Sequence, residues 1–279
     1  RNAMTSQGIA NNSAASFARQ AVAAHALFKT LLEPGYDLLQ GKDLLIIPDE
    51  MLGYLSFDIL LNKPTDTASY DYSKLPYLIR DHNISYAYLA TMQYRREVPQ
   101  VTRATKAIAF APNYTGIREA PSENLLSLRG MEKFLLPIKH AKMEMDLLKD
   151  KADARIFTDD AANESNFKAL SPEYDIIHLA MHSVVDNENP MLSKLVFTIP
   201  SEVQEEDGLL NAFEIYNLNL RARMLVLSAC NTGYGQMQKG EGIISIGRAF
   251  MYAGIPGIIM TLWEIEDKSG YDIMTHFYK

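Results

Sequence analysis

The sequence predicts an α/β protein whose main part is a mostly parallel sheet covered by helices on both faces, preceded by a smaller α+β lobe. After about residue 104, short apolar segments alternate with segments of helical periodicity, as in repeated strand–helix units. The segment Ile258-Ile-Met-Thr-Leu262 lacks polar alternation, as expected of a strand buried on both faces. Upstream, one helical segment precedes short extended ones, so we place the lobes at residues 4–103 and 104–279.

The smaller lobe begins with a predicted helix over Ser13 to Leu32. Apolar residues recur there at helical spacing, for example Phe17, Ala21, Ala24 and Phe28, and Pro34-Gly35 ends the pattern. Extended segments are predicted at residues 43–47, 52–61 and 84–88, with a polar loop from 62 to 74. We interpret residues 1–3, which precede Met4, as an expression remnant.

The main lobe alternates strands and helices along its whole length. Strands are predicted at residues 106–111, 154–157, 174–182, 194–199, 222–230 and 257–263. Helices are predicted at residues 131–149, 163–170, 209–216, 242–252 and 269–279. In such sheets, ligands bind beyond the carboxyl ends of the strands.

Composition excludes several classes of partner. The net charge is −7 and no cluster of lysine and arginine occurs, which argues against a nucleic-acid partner. No apolar segment reaches transmembrane length, so we expect no membrane partner. The single cysteine cannot form an internal disulfide and fits a reducing compartment, so we expect a cytoplasmic location. Spacings of cysteine and histidine typical of metal sites are absent, and we expect neither a metal nor an organic cofactor.

That single cysteine, Cys230, stands where a reactive thiol is useful. It ends the apolar segment Met224-Leu-Val-Leu-Ser-Ala-Cys230 and opens a glycine-containing loop before a helix. The segment Asp175-Ile-Ile-His-Leu-Ala-Met-His182 places His182 after another buried strand in the same way. A thiol and an imidazole at neighbouring strand ends form a nucleophile and its base. Each residue type also occurs in protein cores, Cys230 as a small apolar side chain and His182 as a hydrogen-bonded histidine.

Two neighbouring features extend this hypothesis. Backbone N–H groups at Cys230 and Ser183 are expected to hold the oxyanion that forms when the thiolate attacks a peptide carbonyl. His178 competes with His182 for the role of base. Because His178 lies deeper in the predicted strand, we favour a structural role for it.

Six further blocks of sequence, in order, carry a family resemblance. They are His178-Leu-Ala-Met-His182-Ser183, residues 207–215, Leu227-Ser-Ala-Cys-Asn-Thr-Gly-Tyr-Gly235, Gly240-Glu-Gly242, residues 248–254 and Thr261-Leu-Trp-Glu-Ile-Glu-Asp267. With Leu31-Leu-Glu-Pro34, residues 44–49 and Ile84-Ser-Tyr86, the chain from about residue 25 resembles the CHAT family of caspase-related cysteine peptidases.

The resemblance implies a caspase-like core preceded by a degenerate lobe, and a peptide or protein substrate. It assigns the nucleophile to Cys230, the base to His182, and the oxyanion hole to the backbone amides of Cys230 and Ser183. The family usually has glycine after the histidine, so Ser183 would strain the turn if a positive φ were required there. The family also suggests helical repeats upstream in a longer parent chain, which would place the substrate or restrain the protease.

Substrate selection is expected to depend on acidic side chains, because several caspase relatives select a basic residue before the cut. Asp207 is the main candidate, with Glu264 after the last strand, and Trp263 would wall the pocket. The alternatives are a solvated acidic loop with a turn at Asp207, and a core tryptophan. Glu241, between two glycines, is expected to support the catalytic loop or to act as a favourable helix-end charge.

Two other functions fit parts of the sequence. The glycine-rich segment from Gly233 to Gly242 is a type of loop that cradles phosphate, but it has neither the dinucleotide fingerprint nor a Walker lysine, and Glu241 would repel a phosphate. The second alternative is a caspase-like scaffold that binds peptides or proteins without cutting them. The presence of both Cys230 and His182 favours the peptidase.

Overall fold

We describe the protein from a computed structural model. The structure describes residues 14–49, 52–53, 55–66, 71–87, 105–114, 135–186, 188–202, 204–228, 241–261 and 265–279. The chain divides into two compact units, Arg1–Glu97 and Val98–Lys279. Over the described residues, no helix is both long enough and apolar enough to cross a membrane.

In its described residues, the first unit is built around a long α-helix and a two-stranded parallel sheet. Helix α1 spans Ala14–Leu31, and strands β1 (Leu44–Ile46) and β2 (Ile84–Tyr86) pair in parallel. The buried face of α1 contributes Phe17 to one apolar cluster and Phe28 to another. The prediction of an extended segment over 52–61 is wrong, because residues 57–59 form a 3-10 helix that directs Phe57 into the core.

The described residues of the second unit form eight strands and five α-helices. Its strands are β3 (Lys106–Ala111), β4 (Asp153–Thr158), β5 (Ile176–Leu179), β6 (Ser183–Val184), β7 (Lys194–Val196), β8 (Leu209–Asn211), β9 (Met224–Leu227) and β10 (Gly257–Met260). Its α-helices are α2 (Ala141–Lys149), α3 (Glu164–Leu170), α4 (Ala212–Ile215), α5 (Glu241–Tyr252) and α6 (Asp267–Phe277).

A five-stranded parallel sheet forms the centre of the second unit. Its strand order is β10-β9-β5-β3-β4, and every neighbouring pair is parallel. Alternate residues of β3 enter different cores: Ile108 and Phe110 pack with α3 and α5 residues, whereas Ala107 and Ala109 pack with α2. The α/β class and the mostly parallel sheet are therefore confirmed.

A separate antiparallel sheet, in the order β6-β7-β8, was not predicted. The predicted helix over 209–216 begins instead as strand β8, which pairs with β7. Only after Asn211 does the chain turn into helix, because the Asn211 side chain and Glu214 form a reciprocal capping box. A short apolar segment such as Leu209-Leu210 fits a strand or a helix equally well, and the long-range pairing decides between them.

The predicted helix over 131–149 also begins later than expected. Helix α2 starts at Ala141, and the described residues 135–140 before it are irregular. Pro137 accounts for the non-helical backbone at Leu136, because proline disfavours helical conformation at the residue before it. The irregular segment leaves backbone carbonyl groups available for contacts outside a helix.

Candidate active site

The two candidate catalytic residues follow neighbouring parallel strands at the same offset. Leu179 at the end of β5 pairs with Leu227 at the end of β9, and the N–H of Ser228 donates to the carbonyl oxygen of Leu179 at 3.0 Å. His182 is three positions after Leu179 in the sequence, and Cys230 is three positions after Leu227. Cys230 itself lies outside the described residues, as do Trp263 and Glu264.

The imidazole of His182 is fully buried and is oriented by a backbone carbonyl. Its Nε2 lies 2.6 Å from the carbonyl oxygen of Leu136. Because a carbonyl oxygen can only accept, Nε2 must carry the hydrogen, and in the neutral ring Nδ1 then carries the lone pair. The tautomer therefore makes Nδ1 the basic nitrogen of this side chain.

The partner of His182 comes from the segment whose structure was predicted incorrectly. Within a helix that began at residue 131, the Leu136 carbonyl would bond to an N–H of the next turn. In the irregular segment before α2, it accepts from His182 instead. Sequence reasoning missed this contact, although Pro137 was the available signal, since a residue before proline favours extended backbone.

Tyr114 is a second contact of His182 that the sequence analysis missed. Its hydroxyl accepts a hydrogen bond from the backbone N–H of His182 at 2.8 Å and donates one to the carbonyl of Val196 at 2.7 Å. Its ring lies 4.5 Å from the imidazole, centroid to centroid. Burial raises the pKa of the Tyr114 hydroxyl, so the group remains protonated and able to donate.

Ser183, which replaces the usual glycine of the family, adopts an ordinary extended conformation. It is the first residue of β6, is almost fully buried, and is not among the residues with positive φ. The N–H of Val196 donates to the carbonyl of His182, which makes Ser183 and Leu195 a pair without direct hydrogen bonds. The Ser183 N–H therefore points away from β7, and serine introduces no strain here.

His178 belongs to a buried polar network instead. Its Nε2 lies 3.2 Å from a carboxylate oxygen of Glu144 on α2, and its Nδ1 lies 2.8 Å from the hydroxyl of Tyr278 after α6. Burial, followed by the nearby Glu144, raises the pKa of Tyr278. Both histidines are fully buried, so depth does not distinguish them, whereas their partners do. His178 links the central strand to two helices.

Asp207, the candidate specificity residue, has a local backbone contact. One of its carboxylate oxygens accepts the N–H of Leu209 at 2.8 Å, and Gly208 between them has φ +85°. A Cβ at position 208 would lie 2.9 Å from the Thr198 carbonyl oxygen, so glycine is required at this turn. Burial raises the pKa of Asp207, while the positive charge of Lys194 opposes that shift.

Other acidic residues near this turn form a cluster around Lys168. The Nζ of Lys168 lies 2.7 Å from Glu164, 2.5 Å from Glu206 and 2.9 Å from Glu214. Among the described residues, these three glutamates are close enough to ligate a metal ion, with oxygens within 4.8 Å of one another. The Lys168 ammonium already supplies the positive charge, so we assign no metal to the cluster. Burial raises the pKa of Glu164 to about 7.

The remaining candidate, Glu241, is the first residue of helix α5. Its side chain lies outside the described part of the structure, so its supporting role stays a prediction.

Asp267, at the start of α6, accepts hydrogen bonds from the backbone N–H and the Nδ1 of His140. This acidic residue therefore joins α6 to the start of α2.

Comparison with known proteins places the chain in a family. No curated protein among those compared matches the sequence. Among solved structures, a Streptococcus pneumonia TIGR4 flavodoxin is similar at 16% sequence identity and a TM-score of 0.34, a match that covers 63% of this chain and 95% of the flavodoxin. The family model of the CHAT domain matches residues 21–279. The chain therefore belongs to the CHAT-domain family, which is associated with caspase-like cysteine peptidases.

Proposed function

We propose that this domain is a cysteine endopeptidase in which Cys230 is the nucleophile and His182 is the base. The observation that carries the proposal is the β5–β9 register, in which both residues follow a directly paired position by three residues. Neighbouring strands lie about 4.8 Å apart, so equal offsets favour an encounter between the thiol and the imidazole. The Nε2–H tautomer of His182 adds a suitable proton acceptor.

The reaction proceeds through an acyl-enzyme. Nδ1 of His182 takes the thiol proton, and the Cys230 sulfur forms a bond to the peptide carbonyl carbon while the carbonyl π electrons move to oxygen. When the tetrahedral intermediate collapses, the C–N bond breaks and the amine leaves with the proton from Nδ1. Water then attacks the thioester and gives a proton to Nδ1. The C–S bond breaks, the acid is released, and the thiol is restored.

Backbone groups support the charge changes in this sequence. The Leu136 carbonyl, which accepts from Nε2–H, stabilises the imidazolium that forms when Nδ1 is protonated. The N–H groups of Ser183 and Cys230 hold the oxyanion, and the direction of the Ser183 N–H away from β7 supports its part. Glu241 is proposed to support the catalytic loop.

A preference for a basic residue before the cut is the finer part of the proposal. Asp207 would provide the carboxylate, with Glu264 and Trp263 as further walls of the pocket. The Asp207 side chain is exposed, so a basic side chain of the substrate can reach its carboxylate. Glu206 contributes less, since it is held by Lys168. Asp207→Asn should lower cleavage after arginine relative to alanine, and an unchanged ratio would remove Asp207 from the pocket.

Regulation by other parts of a longer chain is also proposed. The family resemblance supports helical repeats upstream of this domain, which would place the substrate or hold the protease inactive. If so, a chain that includes such repeats should differ from the isolated domain in its cleavage rate on the same peptide. Equal rates across substrates would argue against this role.

The experiment is cleavage of a peptide library by the wild type, Cys230→Ala and His182→Gln. Glutamine retains an N–H donor for the Leu136 carbonyl but cannot act as a base. His276→Gln is the matched control, because His276 bonds only to a carbonyl of its own helix among the contacts described for it. We expect cleavage by the wild type and by the control, and none above background by the other two variants.

The same experiment addresses the scaffold alternative. If library peptides bind the folded wild type without being cut, the domain is a binding module rather than a peptidase. Because Cys230 is the only cysteine, a thiol-directed peptide probe reports on this residue alone. Labelling that His182→Gln slows supports the peptidase, and labelling at an equal rate supports the scaffold.

A further inference from the structure

The Tyr114 hydroxyl interrupts the antiparallel β6–β7 ladder at His182. Val184 pairs with Lys194, and Ser183 pairs with Leu195. Because hydrogen-bonded and non-hydrogen-bonded pairs alternate, His182 and Val196 would form the next pair with two direct hydrogen bonds. One of these forms, from the Val196 N–H to the His182 carbonyl at 2.9 Å.

The second bond of this pair is relayed through the tyrosine. The His182 N–H donates to the Tyr114 hydroxyl at 2.8 Å, and the hydroxyl donates to the Val196 carbonyl at 2.7 Å. For a tetrahedral hydroxyl, these bonds hold the N–H nitrogen and the carbonyl oxygen about 4.5 Å apart, against about 2.9 Å for a direct bond. The hydroxyl therefore spreads the two strands at the histidine, and the regular ladder begins only at Ser183.

The ring of Tyr114 acts on the same residue from a second direction. It packs against the imidazole with the ring planes 52° apart and the centroids 4.5 Å apart. Both side chains are buried, so the imidazole has little room to rotate. Tyr114 thus contacts the backbone of His182 through its hydroxyl and the side chain through its ring, while Leu136 holds Nε2.

We propose that Tyr114 is a positioning residue for His182: its hydroxyl holds the β6–β7 ladder open and its ring orients the imidazole that accepts the proton of Cys230. This inference rests on the proposed peptidase function for its catalytic consequence. Its structural part, the orientation of His182, stands without it. The same separation of β6 from β7 at His182 also sets the orientation of the next backbone N–H, that of Ser183.

The test is Tyr114→Phe, which keeps the ring and removes the hydroxyl. The variant should fold, because the His182 N–H and the Val196 carbonyl can close onto each other and satisfy their hydrogen-bonding capacity. Closing the ladder displaces the histidine by the order of an ångström, so kcat should fall on the order of 10²-fold. KM should remain within about threefold, because no substrate-binding group is removed.

Tyr86→Phe is the matched control. The Tyr86 hydroxyl also accepts a backbone N–H, from Phe57 at 2.8 Å, and donates to an oxygen, that of Asp58, but it belongs to the first unit. The control should lose thermal stability and retain kcat. If Tyr114→Phe likewise retains kcat within about threefold of the wild type, the hydroxyl has only a structural role and the proposal is overturned.

A second variant addresses the case in which Tyr114→Phe does not fold. Para-aminophenylalanine at position 114 retains a donor and an acceptor in the place of the hydroxyl. It should restore kcat to within about threefold of the wild type. The proposal is overturned if this variant folds but its kcat is as low as that expected for Tyr114→Phe.

A measurement without activity separates this inference from the proposed function. Nitrogen-15 NMR of labelled histidine reports the tautomer, and His182→Gln assigns the signal. In Cys230→Ala protein, where no thiol can protonate the ring, we expect the Nε2–H form of His182 with the native tyrosines and with Tyr86→Phe, and a mixture with Tyr114→Phe. If the wild type cuts no peptide yet the tautomer changes in this way, the function fails and the positioning role stands. An unchanged tautomer overturns the positioning role.

Discussion

Replacement of Lys168 by methionine should destabilise the domain strongly and in a pH-dependent way. The ammonium contacts three carboxylates, of which Glu164 is only 1% exposed, whereas Glu206 and Glu214 are about one quarter exposed. A buried carboxylate left without its cation takes up a proton, and for a folded-state pKa of about 7 this limits the cost at pH 8 to about 1.4 kcal/mol. Each partly exposed pair adds about 0.5 kcal/mol. At pH 8, we therefore expect the free energy of unfolding to fall by about 2.5 kcal/mol.

The pH dependence follows from the raised pKa of Glu164. A carboxyl whose pKa rises from 4.5 to about 7 on folding favours the folded state at low pH, and this contribution is lost as the pH rises through 7. Without Lys168, ionisation of Glu164 becomes still less favourable. At pH 5, Glu164 is protonated in both folded proteins, so the difference should shrink to about 1 kcal/mol, the value of the two exposed pairs.

Urea unfolding at pH 5 and pH 8, with linear extrapolation, measures both values. Fluorescence of the single tryptophan, which belongs to the second unit, provides the signal. Lys142→Met is the matched control, because Lys142 pairs with Asp159 on the surface, where the two side chains are 62% and 44% exposed. The control should lose less than about 1 kcal/mol at either pH. This account of the cluster is refuted if both variants lose the same free energy of unfolding. It is also refuted if the loss in Lys168→Met is the same at pH 5 and pH 8.

Four further substitutions test other parts of the structure. Gly254→Ala should cost more than about 3 kcal/mol in urea unfolding, because φ is +118° and a Cβ would lie 2.3 Å from a carbonyl oxygen. Gly41→Ala, at φ +67° in open space, should cost about 1 kcal/mol, and equal losses would contradict the clash. Ser183→Gly should change peptide cleavage by less than about threefold, since the residue is extended; a tenfold gain would reveal strain in the native serine. Tyr278→Phe should lower stability by about 1–3 kcal/mol with little effect on kcat, whereas a large loss of kcat at unchanged stability would give His178 a catalytic role.

The parallel sheet was predictable because four of its five strands are largely apolar on both faces. The segments that became β3, β5, β9 and β10 lack polar alternation, and the helical periodicity between them required crossover connections. Their ends follow from the same pattern, so His182 could be placed at the carboxyl edge of the sheet from sequence alone.

The antiparallel sheet and the start of α2 depend on interactions that local patterns do not encode. Leu209-Leu210 is too short to show a period, and its strand conformation comes from pairing with β7. The residues before Ala141 have helical composition, but Pro137 disfavours helical backbone at Leu136. Where local preference is weak, the tertiary partner determines the conformation.

The surroundings of His182 were the least predictable feature. One of its partners is a backbone carbonyl, which every residue carries, and another is a tyrosine 68 positions earlier. Neither has a motif or a spacing that marks it. Sequence also could not rank the two histidines by depth, because both are fully buried and only their partners differ.

The rate at which an alkylating reagent modifies Cys230 tests the central claim most directly, because the chain has no other thiol. A thiol with an ordinary pKa of about 8.5 is only about 3% thiolate at pH 7, so a nearby imidazolium can raise the rate by up to about 30-fold. The lower nucleophilicity of a more acidic thiol reduces this gain to about tenfold. We predict that wild type reacts about tenfold faster than folded His182→Gln at pH 7. Equal rates would show that the two side chains do not act as a pair.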